Sequence, residues 1–280
     1  MNVLYCGDGN IKDGVLLSVI SLLKNVNETL NVYLLTASVY KDGKKTLALS
    51  SEFAEFLDEL VKKTNSANKV MLIDISDEFL RQLPDANMGT RFTPCCMLRL
   101  YSDDIKELPD KILYLDNDVI CRQDPDEYYN QNIDDYELAG TLDYYGSWFF
   151  YNIFPKRDYI NSGVLLLNLK KIRETGLFKK CREMCTDKKM FMPDQSAINK
   201  LCNYKKICSR NYNEQRKLRN DTVFQHFTTS FRFLPWFHKV CVKPWNVEDV
   251  HKKLKLHAYD DILNEYLKLK NLYEEEYIKL

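Results

Sequence analysis

Lys111-Ile112-Leu113-Tyr114-Leu115-Asp116-Asn117-Asp118 sets a short apolar run directly against two carboxylates. Five residues rich in Ile, Leu and Tyr, closed by polar ones, read as a buried strand. Toward the N-terminus the same signature recurs at residues 3–6 (VLYC), 31–37 (NVYLLTA) and 69–75 (KVMLIDI). Stretches of helical period lie between them, at 15–23 and at 44–63, where Leu49, Phe53, Phe56, Leu57 and Leu60 fall near one face. A further helix is predicted at 96–102. Beyond the quoted run, residues 137–143 and 161–169 read as strands, and 170–185 and 194–202 as helices. Continuous apolar strands alternating with helices predict an α/β fold: a mainly parallel central sheet with helices on both faces.

The C-terminal third is less regular. Residues 209–245 are aromatic-rich and irregular and are expected to lie over the sheet; 247–280 carry a Lys/Glu/Tyr/Leu pattern of helical period, broken near 257–261. With no repeat or linker in sight, the expected organisation is one Rossmann-like domain over 1–246 and a helical tail over 247–280. Forty basic and forty acidic residues leave no net charge, which argues against nucleic acid as a partner. Lys252-Lys253, Lys268 and Lys270 are interleaved with acids and read as solvated helix faces. No apolar stretch approaches the roughly 18 residues of a membrane span, and no basic-then-apolar leader opens the chain. Nine cysteines, with no Cys-x-x-Cys pair, suit a reducing compartment. A cytoplasmic protein is expected.

Residues two apart in an extended segment project to one side. Asp116 and Asp118 are therefore expected to converge at the carboxyl end of a central strand, where ligands of open α/β sheets collect. Like charges held close need a cation or a shared proton, and hard oxygen donors suit Mg²⁺ or Mn²⁺ bridging a diphosphate. A solvated turn is the alternative. The loop Gly7-Asp8-Gly9-Asn10 is not Gly-x-Gly-x-x-Gly, and no P-loop occurs anywhere. It can still hold a nucleoside, because Asp8 can accept hydrogen bonds and glycines permit close backbone approach.

These segments resemble glycosyltransferase family 8, the group that includes bacterial lipooligosaccharide galactosyltransferases and the glycogenins. The resemblance runs in order through VLYCGD at 3–8, MLRL at 97–100, KILYLDND at 111–118, NSGVLLLNL at 161–169, Pro193-Asp194-Gln195, His226-Phe227 and Lys243-Pro244-Trp245. It implies a GT-A fold, a UDP-sugar donor and Mn²⁺, with Mg²⁺ as the second choice. On this likeness Asp116 and Asp118 are the metal-binding Asp-x-Asp, and His226 is the third ligand. Cys6, Asp8, Asn10, Arg99, Asn117 and Asn161 fall at donor-binding positions, and Asp116 also lies near the donor ribose. Asp143 falls on the acceptor side, and Lys243 matches a lysine that meets the diphosphate. Asp194 and Gln195 take the catalytic positions beside the sugar.

Two departures bear on these roles. Gly9 and Ile11 stand where the family often has an acid and an aromatic that stacks on uracil. Sixteen residues, 227–242, separate His226 from Lys243, including Phe231, Phe233, Trp236 and Phe237; the family commonly has a short spacer. Lys239 therefore competes with Lys243, and the insertion is either an aromatic lid or a hydrophobic plug. The function implied is retaining, Mn²⁺-dependent transfer of glucose or galactose from UDP to a glycan hydroxyl. A nucleotide-sugar or glycan-binding protein on the same fold is the alternative. The acceptor is unspecified and includes lipid-linked glycans, with which a Lys-rich tail resting on an anionic membrane would be consistent.

Overall fold

Alternate residues of each central strand face opposite sides of the sheet, and here both sides are apolar. In β1 (Asn2–Gly7), Val3 and Tyr5 enter one core while Leu4 enters the other. β2 (Asn31–Thr36) divides Val32 and Leu34 from Tyr33 and Leu35 in the same way. β6 (Lys111–Leu115) sends Leu113 and Leu115 to one side, Ile112 and Tyr114 to the other. This double burial is why the strands read as continuous apolar runs.

The computed structural model describes residues 1–41, 44–88, 94–144, 146, 158–232 and 238–278. The remaining strands of the main sheet are β5 (Lys69–Asp74), β8 (Leu138–Leu142), β9 (Ile160–Asn168) and β10 (Lys205–Cys208). Their order is β10-β8-β9-β6-β1-β2-β5. β5, β2, β1 and β6 are mutually parallel, as are β10 and β8; β9 runs antiparallel to both β6 and β8. The expected mainly parallel α/β sheet is present, with one reversed strand inside it. Helices Lys12–Asn25 and Ser51–Thr64 cover one face; Leu169–Thr175, Leu177–Asp187 and Pro193–Leu201 cover the other.

Several boundaries differ from expectation for local reasons. The helix expected from residue 44 starts at Ser51, because Ser50 Oγ caps it by accepting from Phe53 N at 3.3 Å. Ahead of it, β3 (Val39–Lys41) and β4 (Lys44–Thr46) form a small antiparallel hairpin. The helix expected over 170–185 is two, broken at Gly176, whose φ of 66° is left-handed. Residues 96–102 lie in a longer 3₁₀ segment, Pro94–Asp104.

A second, two-stranded sheet was marked in the sequence only by the short strand-like run at residues 222–225. β7 (Val119–Cys121) pairs antiparallel with β11 (Phe224–His226), setting His226 opposite Val119. The insertion after His226 contains the hairpin of β12 (Ser230–Arg232) and β13 (His238–Val240). Phe233, Trp236 and Phe237 lie outside the described residues. The insertion's ends are anchored: Phe227 and Val242 are buried in the core.

The tail breaks where expected. Short helical turns over Val247–Asp249 and Val250–Leu254 end at Lys255, which has φ 53°, and a helix resumes over Asp260–Tyr273. Ile262, Leu263, Tyr266 and Tyr273 join the same core as Val3 and Tyr5, with Tyr273 edge-on to Phe53 at 5.6 Å. Among the described residues no helix is long and apolar enough to cross a membrane.

Candidate active site

The carboxylates of Asp116 and Asp118 do converge, through a different device from the one expected. The strand ends at Leu115, and residues 116–118 form a turn closed by Val119 N donating to Asp116 O at 3.2 Å. The β7–β11 pair then delivers the third group. Phe227 N donates to Asp118 O at 3.0 Å, and His226 Nε2 lies 3.1 Å from Asp118 Oδ1 and 3.6 Å from Asp116 Oδ2. One ligand atom from each of the three lies within 4.8 Å of the others. Two carboxylate oxygens and an imidazole nitrogen suit Mn²⁺ or Mg²⁺.

Backbone geometry supports that fit. A Cβ at Gly163, in β9, would collide with the His226 ring (Nδ1 at 2.6 Å) and with Asp116 Oδ2 at 2.8 Å. Asp116 N also donates to Gly163 O at 2.8 Å. The glycine of Asn161-Ser162-Gly163 thus lets the His226 ring and the Asp116 carboxylate sit against the backbone. Burial opposes ionisation of Asp118, but Lys243 and His226 outweigh it and hold its carboxyl well below the usual range. Burial likewise works against charge on His226, and Asp118 overcomes it, raising the imidazole above its ordinary value.

Arg99, buried on the 3₁₀ segment, ties the other side together. Its Nη2 donates to Asp116 Oδ1 at 2.8 Å, its Nη1 to Ser162 O at 2.6 Å, and its Nε lies 3.2 Å from Asp194 Oδ2. The guanidinium stacks 4.1 Å over the Tyr114 ring, whose hydroxyl also donates to Asp116 Oδ1 at 2.6 Å. Asp194 is therefore ion-paired; burial pushes its carboxyl above the usual range against the pull of Arg99. Lys243 Nζ donates to Asp118 Oδ2, whereas Lys239 is exposed on β13.

Beside Asp116, Asp118 and His226 runs a buried amide network. Gln195 Oε1 accepts from Ser162 N at 3.0 Å, and Gln195 Nε2 donates to Asp143 Oδ2 at 3.2 Å. Asn161 Nδ2 donates to Asp143 Oδ2 at 2.8 Å, and Asn213 Nδ2 donates to Asn161 Oδ1 at 2.9 Å. Asn213 Oδ1 in turn lies 3.3 Å from His226 Nδ1, which orients the ring. Asn213, Ser162 and Tyr114 were not singled out from the sequence. Asn213 sits in an irregular turn, Arg210–Asn213, with no pattern that distinguishes it.

The first loop lies at the end of β1. Asp8 Oδ1 accepts from Asn10 N at 2.9 Å, while among the described residues Asp8 Oδ2 is buried without a hydrogen-bond partner. Nearby stands the Cys95 thiol, which burial and the Asp8 charge push up to about 12. An unpartnered buried acceptor is costly unless a ligand's N–H or O–H meets it. Asn10 is exposed, Cys6 is half-buried at the strand end, and Asn117 is half-buried in the Asp-x-Asp turn.

The sequence model of Glycosyl transferase family 8 matches residues 2–249. The chain belongs to that family. Among its relatives is a Lipopolysaccharide 1,2-glucosyltransferase of Escherichia coli, 25% identical over 297 residues, covering 93% of this chain and 84% of the relative. Another is the Lipopolysaccharide 1,3-galactosyltransferase of Salmonella typhimurium, 25% identical over 261 residues, covering 88% of this chain and 73% of the relative. The galactosyltransferase LgtC, solved with donor and acceptor sugar analogs, superposes with a TM-score of 0.68 at 18% identity, covering 96% of this chain and 95% of that one. The family 8 chain described here therefore has the GT-A fold and is a glycosyltransferase.

Proposed function

We propose that this enzyme transfers a hexose, glucose or galactose, from a UDP-sugar to a glycan hydroxyl with retention of anomeric configuration. The observation that carries the reading is the convergence of Asp116, Asp118 and His226, with the second oxygen of Asp116 held by Arg99. We assign the metal-ligand roles to those three, and the cation to Mn²⁺ before Mg²⁺. When bound there, a divalent cation offsets charge developing on the departing diphosphate. The nucleoside falls to Asp8, whose buried Oδ2 wants a donor, with Cys6, Asn10 and Asn117 around it. We assign the added positive charge beside the phosphates to Lys243, which pairs with Asp118, before the exposed Lys239.

Asp143, Asn161, Asp194 and Gln195 are assigned to the sugar pocket and its acceptor side. A double displacement would need a free nucleophile, yet Asp194 is committed to Arg99 and Gln195 is a neutral amide fixed at both ends. The arrangement favours a front-face route. The acceptor oxygen bonds to the anomeric carbon as the carbon–phosphate oxygen bond breaks, and the departing phosphate takes the hydroxyl proton. The rigid amide network aligns the partners for that exchange.

Relatives that act on lipopolysaccharide support a lipid-linked glycan acceptor and a cytoplasmic enzyme working at the membrane's inner face. Exposed Lys252, Lys253 and Lys255 would supply the contact. We assign residues 1–246 to the catalytic domain and 247–280 to a tail packed on it.

The test is UDP release from UDP-glucose and UDP-galactose with Mn²⁺. Wild-type protein is expected to turn over one of them, and Asp118→Asn to lose at least about 100-fold, the scale of removing a main electrostatic contribution. Full turnover by Asp118→Asn would remove the metal assignment. Donor binding without turnover in the wild type would favour a non-catalytic sugar-nucleotide binder.

A further inference from the structure

We propose that His251, His257 and Asp260 form a second metal site, a Zn²⁺ site that clamps the break in the C-terminal tail. His251 Nε2 lies 2.7 Å from Asp260 Oδ1, and His257 Nδ1 lies 3.2 Å from Asp260 Oδ2. The imidazoles stack with ring centres 4.6 Å apart, and one ligand atom from each of the three residues lies within 4.8 Å of the others. Two of the chain's four histidines thus bracket one carboxylate.

The local backbone builds this arrangement. Left-handed Lys255 reverses the chain, Leu256 N donates to Val250 O at 3.3 Å, and Asp260 N donates to His257 O at 3.2 Å. The turn brings residue 257 back over residue 251 at the start of the Asp260–Tyr273 helix. Neighbouring charges are matched elsewhere: Lys252 with Glu248, Lys253 with Asp249 and Lys24 with Asp261. Among the described residues Asp260 has no lysine or arginine as an ion-pair partner.

The donor sets of the two sites differ in kind. Asp116, Asp118 and His226 offer two carboxylates and one imidazole, with Asp118 and His226 buried and Asp116 half-buried. The tail offers two imidazoles and one carboxylate at the surface, a set that suits Zn²⁺ with water completing four ligands. A bound ion would join the turn before Lys255 to the helix after it and so hold this part of the tail in one arrangement.

The experiment titrates ZnCl₂ into the full-length chain carrying Asp118→Asn, which disables the first site, and follows heat and Tm. One Zn²⁺ equivalent is expected to bind and to raise the Tm. Adding His257→Ala should weaken that binding at least about tenfold, the minimum seen even for outer-shell changes at metal sites, and abolish the Tm shift. The His257 side chain is 65% exposed, so its removal leaves folding intact, and His251→Gln should produce the same loss. Zn²⁺ binding and Tm shift unchanged by either substitution, or no Zn²⁺ binding once Asp118 is changed, would overturn the proposal.

Discussion

Gly163 shows how little room the candidate site leaves. A methyl group there would press on the His226 ring and on Asp116 Oδ2, groups that cannot yield without moving His226 and Asp116 apart. Gly163→Ala is expected to weaken Mn²⁺ binding about 10- to 100-fold while circular dichroism stays that of the wild type. Unchanged Mn²⁺ affinity by titration would show that the three groups do not act together. At this scale legibility was uneven. Asp116 and Asp118 stood out because an apolar strand ends on them. His226 had only its family likeness and a short β-like run to mark it. Asn213, which touches both His226 and Asn161, had nothing: a side-chain amide's partners depend on where the fold points it.

Gly176 makes the corresponding point for elements. The amphipathic pattern runs unbroken across 170–185, yet a left-handed residue divides it into two helices. A Cβ at 176 would meet nothing within 4 Å, so the penalty of a side chain is conformational alone. Gly176→Ala should lower stability by about 1 kcal/mol, read as an earlier urea midpoint at unchanged slope, without altering UDP release. A later midpoint would contradict the left-handed cap. β7 was hidden, and β11 marked only by a short run, for another reason: three-residue strands fall below the length at which periodicity speaks, and only pairing defines them. That pair is nevertheless what carries His226 to Asp118.

For the whole molecule, the tail tests how surface and core share one segment. Its large apolar residues, Ile262, Leu263, Tyr266 and Tyr273, are buried on the body, and Lys270 Nζ reaches Asp13 at 2.9 Å. Membrane contact would therefore rest on charge. Each lysine near an anionic bilayer contributes about 1 kcal/mol. Replacing Lys252, Lys253 and Lys255 together by Glu should lower co-sedimentation with anionic vesicles about 100-fold. Equal sedimentation would remove the tail as a membrane contact. By itself the sequence determined the α/β class, the main strands, the Asp-x-Asp at the end of one of them and the interrupted tail. Each of these follows from local apolar periodicity and its punctuation. The tertiary structure alone decided that β9 runs against its neighbours and that Asp194 pairs with Arg99. It alone brought Asn213 to His226, thirteen positions away, and gave His226 and Lys243, which only the family likeness had grouped with Asp118, their contacts with that carboxylate more than a hundred positions away. Such contacts depend on strand order and side-chain direction, and neither leaves a periodic trace in the chain.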